Sequence, residues 1–271
     1  MKQLVWILMS VAVLLAACGK QTVTPDMTGM EMPGAAQAHV HSSEAIAHFS
    51  VAADRYMPNE EATITILIQD KWNRPIDAFD LMHEKLMHLI VVSKDLSYFD
   101  HLHPEYVGKG QFEVKTKFPA AGYYQLIADF TPQGMGETVQ THWVTINGKE
   151  PKQTVLQPDT TLSKKIGDKE VTLSFDHLMA GMSLDMIFTI KNAVTKQPIT
   201  DLQPFLGSLG HVVAISADAK EYVHVHPNDQ KGSGPEARFA ILFPKSGIYK
   251  IWGQFQHQNE VFIVPFIVKV P

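Results

Sequence analysis

The sequence predicts an all-β protein of two tandem β-sandwich domains, immunoglobulin-like or cupredoxin-like, placed after a signal peptide and a flexible linker. Three observations lead there. Short segments such as Ala62-Thr-Ile-Thr-Ile-Leu-Ile-Gln69 alternate β-branched and apolar residues, as a half-buried strand does. Turn signals recur at close intervals, at Asn73-Arg-Pro75, Lys94-Asp95, Gly108-Lys-Gly110, Ala121-Gly122 and Gln133-Gly134. The chain also repeats itself, which sets the number of domains.

The repeat is carried by residues. His88-Leu-Ile-Val-Val-Ser93 is matched by His211-Val-Val-Ala-Ile-Ser216, and Phe99-Asp-His-Leu-His-Pro104 by Tyr222-Val-His-Val-His-Pro227. Each of the three histidines recurs at one common offset of 123 residues, as does Pro75-Ile76 at Pro198-Ile199. Further on, Phe118-Pro119, Gly122, Tyr124 and Phe130 match Phe243-Pro244, Gly247, Tyr249 and Phe255. The copies span 46–148 and 167–271, joined by a linker at 149–166 that contains Pro151 and Pro158. At about 100 residues, each copy has the size of an immunoglobulin-like or cupredoxin-like sandwich, and pattern alone does not choose between the two.

The N-terminus reads as an export signal. Met1-Lys2 is a short positive region, and Leu4 to Ala16 is apolar but too short for a stable membrane span. Leu15-Ala-Ala-Cys-Gly19 resembles a bacterial lipobox, so residues 1–17 are expected to be a lipoprotein signal peptide with Cys18 lipidated. The partner implied is a membrane, reached through the lipid anchor on Cys18, with the protein on the outer face of the cytoplasmic membrane. Cys18 is the one cysteine in the chain, so neither a disulfide nor a thiolate ligand is expected in the folded part. Residues 18–45 are rich in Gly, Pro, Ala, Thr and Ser without apolar periodicity, which suits a flexible linker.

The chemistry-bearing residues are histidines, 13 of them, beside 12 methionines. If His88 to His103 is a hairpin turning at Asp95-Leu96, His88 faces His103 across the ladder and His101 shares their face. The same construction gathers His211, His224 and His226 around a turn at Asp218-Ala219. Asp suits both turn centres because it tolerates unusual backbone angles. Three imidazoles with an open position suit a transition metal. Copper is favoured over zinc because Met27, Met30 and Met32, followed by His39 and His41, offer soft thioethers and imidazoles as an auxiliary arm. The lack of a second cysteine excludes a blue-copper thiolate site. Asp129 is a candidate to complete or orient the first site; Gln254, its counterpart, suits that role poorly. His257 is a possible auxiliary ligand of the second. His83, matched by Leu206, falls outside the shared design, and His48, His142 and His177 read as surface or hydrogen-bonded residues.

A formal net charge of −5 offers no basic face for nucleic acid. There is no Gly-x-Ser-x-Gly elbow, phosphate-binding glycine loop or His-Glu-x-x-His helix, so an enzyme is not expected.

The strings His88-Leu-Ile-Val-Val-Ser, His101-Leu-His-Pro and Phe118-Pro-Ala-Ala-Gly-Tyr, with their second-copy equivalents, resemble the YtkA-like domain of exported lipoproteins. That resemblance implies a small sandwich domain outside the cytoplasm and says little of function. The expectation is a membrane-anchored, extracytoplasmic metal-binding protein that buffers copper or delivers it to a membrane metal transporter or metalloenzyme. A lipoprotein with structural histidines that binds a protein partner, and a metal-dependent enzyme of unknown substrate, are the alternatives.

Overall fold

The computed structural model describes residues 44–52, 56–228 and 232–271. Cys18, Met27, Met30, Met32, His39 and His41 lie outside the described residues. The first domain runs β1 (Ala45–Ala52), β2 (Glu61–Asp70), β3 (Phe79–Asp80), β4 (Met87–Ser93), β5 (Phe99–Leu102), β6 (Glu105–Gly108), β7 (Gln111–Lys117), β8 (Gly122–Pro132) and β9 (Thr138–Ile146). The second runs β10 (Ser163–Ile166), β11 (Lys169–Phe175), β12 (Ser183–Asn192), β13 (His211–Ser216), β14 (Tyr222–His224), β15 (His226–Pro227), β16 (Glu236–Leu242), β17 (Gly247–His257) and β18 (Glu260–Val270). No helix among the described residues is long and apolar enough to cross a membrane.

Each domain is a sandwich of two antiparallel sheets. The first pairs β1-β2-β7-β6 against β5-β4-β8, with β9 and β3 also on β8. The second repeats this with β11-β12-β16-β15 against β14-β13-β17-β18, and adds β10 beside β11. Read in chain order, this is the immunoglobulin strand arrangement, with an A-B-E-D sheet facing a sheet built on C, F and G. A second signature agrees. Tyr124, near the start of β8, donates its hydroxyl to Ala120 O at 2.9 Å, and Tyr249, near the start of β17, donates to Lys245 O at 2.9 Å. This is the tyrosine corner of immunoglobulin-like sandwiches, and it explains why both copies carry Gly and Tyr two residues apart.

The hairpins form in the expected register. β4 pairs β5 as Leu89↔Leu102 and Ile90↔His101, and β13 pairs β14 as Val213↔His224 and Ile215↔Tyr222. The turn chemistry differs in detail from the expectation. Leu96 and Ala219 take the positive φ, at 55° and 56°. Asp95 and Asp218 act instead as acceptors: Ser93 Oγ donates to Asp95 at 2.7 Å and Ser216 Oγ to Asp218 at 2.6 Å.

The linker is shorter than expected. Ser163–Ile166 is strand β10, paired with Lys169–Thr172, so its last four residues belong to the second domain. Much of the rest is tied down. Thr154 N donates to Asp95 Oδ2 at 2.9 Å, and Asp159 exchanges bonds with Ile267 at 2.8 and 2.7 Å. At the other end, β1 opens at Ala45, one residue before the expected boundary.

Strand β4 is buried on both faces. Met87, Leu89 and Val91 enter the first domain's own core. Ile90 and Val92 point the other way, into a separate core with Leu96, Ile127 and Val139 from the first copy and Val213, Ile215, Ala219 and Trp252 from the second. β13 divides in the same fashion, with Val212 and Ala214 inward and Val213 and Ile215 outward. The two copies therefore dock through their C-F-G sheets, with Phe99 stacked on Trp252 at 4.7 Å between ring centroids. Lys250 Nζ caps the contact, donating to Leu96 O at 2.6 Å.

Val213→Asp tests this interface, because its side chain leaves the second domain's own core untouched while placing a charge in the shared one. An uncompensated buried ion costs several kcal/mol. The variant is expected to split one thermal transition into two and to raise the radius of gyration by small-angle scattering; an unchanged single transition would contradict the docking.

Candidate metal centre

His88 is the second residue of β4 and His211 the first of β13, each at the head of the strand face that docks. His88 lies opposite Asp129, and His211 opposite Gln254, in the ladders to β8 and β17. His101 shares this face because it pairs with Ile90, and His103 follows two residues later. The register that makes each sandwich thus brings imidazoles to one rim of the inter-domain core.

One ligand nitrogen from each of His88, His101 and His103 lies within 4.8 Å of the others. Their ring centroids are 5.1 Å apart for His88 and His101, 5.2 Å for His88 and His103, and 4.6 Å for His101 and His103. Two imidazoles on one tetrahedral ion, with metal–nitrogen bonds of roughly 2 Å, put their centroids about 5 Å apart. The spacing therefore suits a shared ion.

The second copy enters the same cluster. The His211 ring stacks on His88 at 5.3 Å and 11°, and stands 4.7 Å from His101. The sequence placed His211 in a second site, and docking brings its ring beside the first trio. His224 sits opposite Val213 in the β13–β14 ladder, and His226 opposite Ala240 in the ladder to β16. His257 does not belong here. It lies on the other face of β17 from Gln254, and its Nε2 is 3.1 Å from Asp201 Oδ1.

His83, set aside from sequence, joins the cluster: its ring is 5.2 Å from His211 and 6.0 Å from His88. It sits in the tight turn Met82–Lys85 with φ of 45°. The equivalent turn of the second copy, Phe205–Ser208, packs against it, since a Cβ at Gly207 would stand 3.3 Å from Glu84 Cγ. With Leu206 as its counterpart, the repeat held no signal for His83. Phe49 stacks on His142 at 5.4 Å and His177 bonds Asp176, consistent with roles away from the cluster.

The hydrogen bonds define tautomers. His88 Nε2 is 2.9 Å from Met82 O, and a carbonyl only accepts, so the proton is on Nε2. His88 Nδ1 then accepts, and the atom facing it at 2.9 Å is His101 Nε2. His101 Nδ1 faces the Gln254 side-chain amide, 3.1 Å from Nε2 and 3.2 Å from Oε1. His103 Nε2 is buried with no hydrogen-bond partner among the described residues. Asp129, 1% exposed, accepts from the Tyr222 hydroxyl at 3.1 Å, a second polar contact between the copies. Gln254, which the sequence suited poorly to this role, thus meets a ring of the cluster directly.

Burial, with the neighbouring His88 and His103 rings, holds His101 well below the ordinary imidazole range. Burial first, then His88 and Lys85, lowers His103 to about 4. Neutral imidazoles are what a metal requires. Burial and Asp129 push the Tyr222 phenol well up, so it stays a donor.

These shifts give the metal-free protein a pH dependence. Unfolded histidines take up protons near pH 6.5, folded His103 only near about 4, and folded His101 is likewise held well below its ordinary range, so the unfolded state binds more protons across that window. Stability is expected to fall as pH drops from 6.5 towards 4, and to fall less steeply in His103→Asn, as read by melting temperature after chelator treatment. A flat profile in the parent protein would contradict the buried neutral rings.

Residues 41–148 and 164–271 each match a family described as a domain of unknown function, DUF8832. Comparison with curated proteins gives no match. Among solved structures, the chain is similar to invasin, a bacterial integrin-binding protein, at 10% identity and a TM-score of 0.24, covering 83% of this chain and 40% of that one. It is also similar to a segment of two fibronectin type III domains from chicken tenascin, at 12% identity and a TM-score of 0.24, covering 82% and 98%. Domains 4 and 5 of the S-layer protein SbsC match at 13% identity and a TM-score of 0.23, covering 84% and 98%. Similarity at this level carries no functional argument.

Proposed function

The chain belongs to the DUF8832 family in two tandem copies, and from that premise we propose that it is a membrane-anchored, extracytoplasmic protein that binds a transition metal, copper in preference to zinc, and buffers or delivers it. One observation carries the reading: three imidazoles, from β4, β5 and the residues just after β5, each offering a nitrogen within 4.8 Å of the others. The donor set fits an ion of borderline softness, and His88 Nε2 on Met82 O is the outer bond by which a ligating histidine is usually oriented. His88, His101 and His103 would hold the ion, which would be cargo rather than a catalyst. The choice of copper rests on Met27, Met30, Met32, His39 and His41 as a soft-ligand arm. Anchoring rests on the lipobox at Cys18, and the YtkA-like resemblance of both copies is part of the same proposal. A membrane metal transporter or metalloenzyme is the partner class that a tethered carrier would serve.

A second reading is favoured by the hydrogen-bond chain from Gln254 through His101 and His88 to Met82 O. It satisfies several ring nitrogens without metal, as histidines that merely fasten two domains together would. The variant His101→Ala with His103→Ala separates the two readings. The carrier reading expects one bound copper per chain in the parent protein and affinity lowered by more than the roughly 10–100-fold that an outer-shell change costs. Unchanged copper content by elemental analysis would leave the structural reading.

Anchoring has its own test. Cys18→Ser is expected to move the protein from the membrane fraction to the soluble exported fraction; retention in the membrane would contradict lipidation at Cys18.

A further inference from the structure

The geometry points to the second copy as part of the first copy's metal site, with Gln254 as a positioning residue that selects the metal-binding tautomer of His101. This inference rests on the metal-binding reading above. Its basis is the proton count along the chain of hydrogen bonds. Met82 O requires the His88 proton on Nε2, which leaves Nδ1 as that ring's donor atom towards a metal. Nδ1 of His88 and Nε2 of His101 face each other at 2.9 Å, a separation held by one proton on His101 Nε2.

An ion shared by the two nitrogens needs that position as a lone pair. His101 then loses the proton at Nε2 and carries one at Nδ1 instead, so the ring stays neutral. The proton on Nδ1 needs an acceptor, because burial makes an unpaired donor costly. Gln254 Oε1 stands 3.2 Å from Nδ1, and its Nε2 3.1 Å from the same atom. A half-turn of one amide therefore serves both states: the amide N–H donates to His101 in the metal-free protein, and the amide oxygen accepts from it when the ion is bound. Few side chains do both; an apolar residue does neither and a carboxylate only accepts.

Gln254 belongs to β17 of the second copy and reaches His101 only because the two sheets are docked through Val213, Ile215 and Trp252. Its position in the first copy is held by Asp129, which is engaged with Tyr222. The two copies are thus unequal where they meet. Docking of the domains and loading of the site are coupled, since the second copy supplies the acceptor that a ligating His101 needs.

The experiment uses the full chain in detergent, with copper(I) as the probe under anaerobic conditions and a competing chelator to read affinity. Nitrogen NMR of the His101 ring reports which atom carries the proton. The expected result is a proton on Nε2 before loading and on Nδ1 after it. Gln254→Leu is expected to weaken binding about 10–100-fold, the usual effect of losing an outer-shell partner. Gln254→Glu, which keeps the acceptor, is expected to bind at least as tightly as the parent. If the parent binds copper(I) but His101 keeps its proton on Nε2, or if a folded Gln254→Leu binds as tightly, this inference fails while the metal reading stands. If the parent binds no copper(I), the metal reading fails and this inference with it. The ring-nitrogen measurement needs no variant, so a poorly folding Gln254→Leu leaves it decisive.

Discussion

The docking of one copy's C-F-G sheet on the other's is the constraint from which the remaining features follow. Ile90, Val92 and Ile127 meet Val213, Ile215 and Trp252 in a core that belongs to neither sandwich alone. Fully burying an aliphatic or aromatic side chain contributes about 1.5–3 kcal/mol, so several such contacts hold the domains as one body rather than as beads on a string. The connector follows suit: Leu156 packs against this core and Thr154 bonds the β4–β5 turn.

Polar groups at the rim of that core are there because of the same packing. The strand face that carries Ile90 and Val92 begins with His88, and the face that carries Val213 and Ile215 begins with His211. Docking the apolar parts drives the imidazoles together, and burial keeps those of His101 and His103 neutral. Neutral rings with a buried His103 nitrogen that has no hydrogen-bond partner among the described residues are costly as pure architecture, and they are the protonation state that metal binding would require.

Duplication usually yields two equal sites, yet here the copies have diverged at the positions nearest the junction. His83 stands against Leu206, Glu84 against Gly207, and Asp129 against Gln254. Each difference lies where the copies touch. Gly207 leaves room for Glu84, Gln254 reaches His101, and Asp129 takes the Tyr222 hydroxyl. The asymmetry is that of two halves of one structure.

The sequence by itself determined the all-β class, the tandem repeat, and the pairing that sets His88, His101 and His103 on one face, because strand alternation and hairpin register are local properties of a short segment. It even carried a cue to the docking: Leu89-Ile-Val-Val92 is apolar at every position, which a strand with one wet face would not be. Immunoglobulin-like topology was not legible, since it depends on which strands pair across the chain. Nor was the merging of His211 with the first trio, or the arrival of His83 and Gln254. Those depend on how two surfaces more than a hundred residues apart meet, and no periodicity within either copy encodes the angle or register of that contact. Tertiary packing alone decided that the His211 ring of the second copy stands beside His88 and His101 of the first.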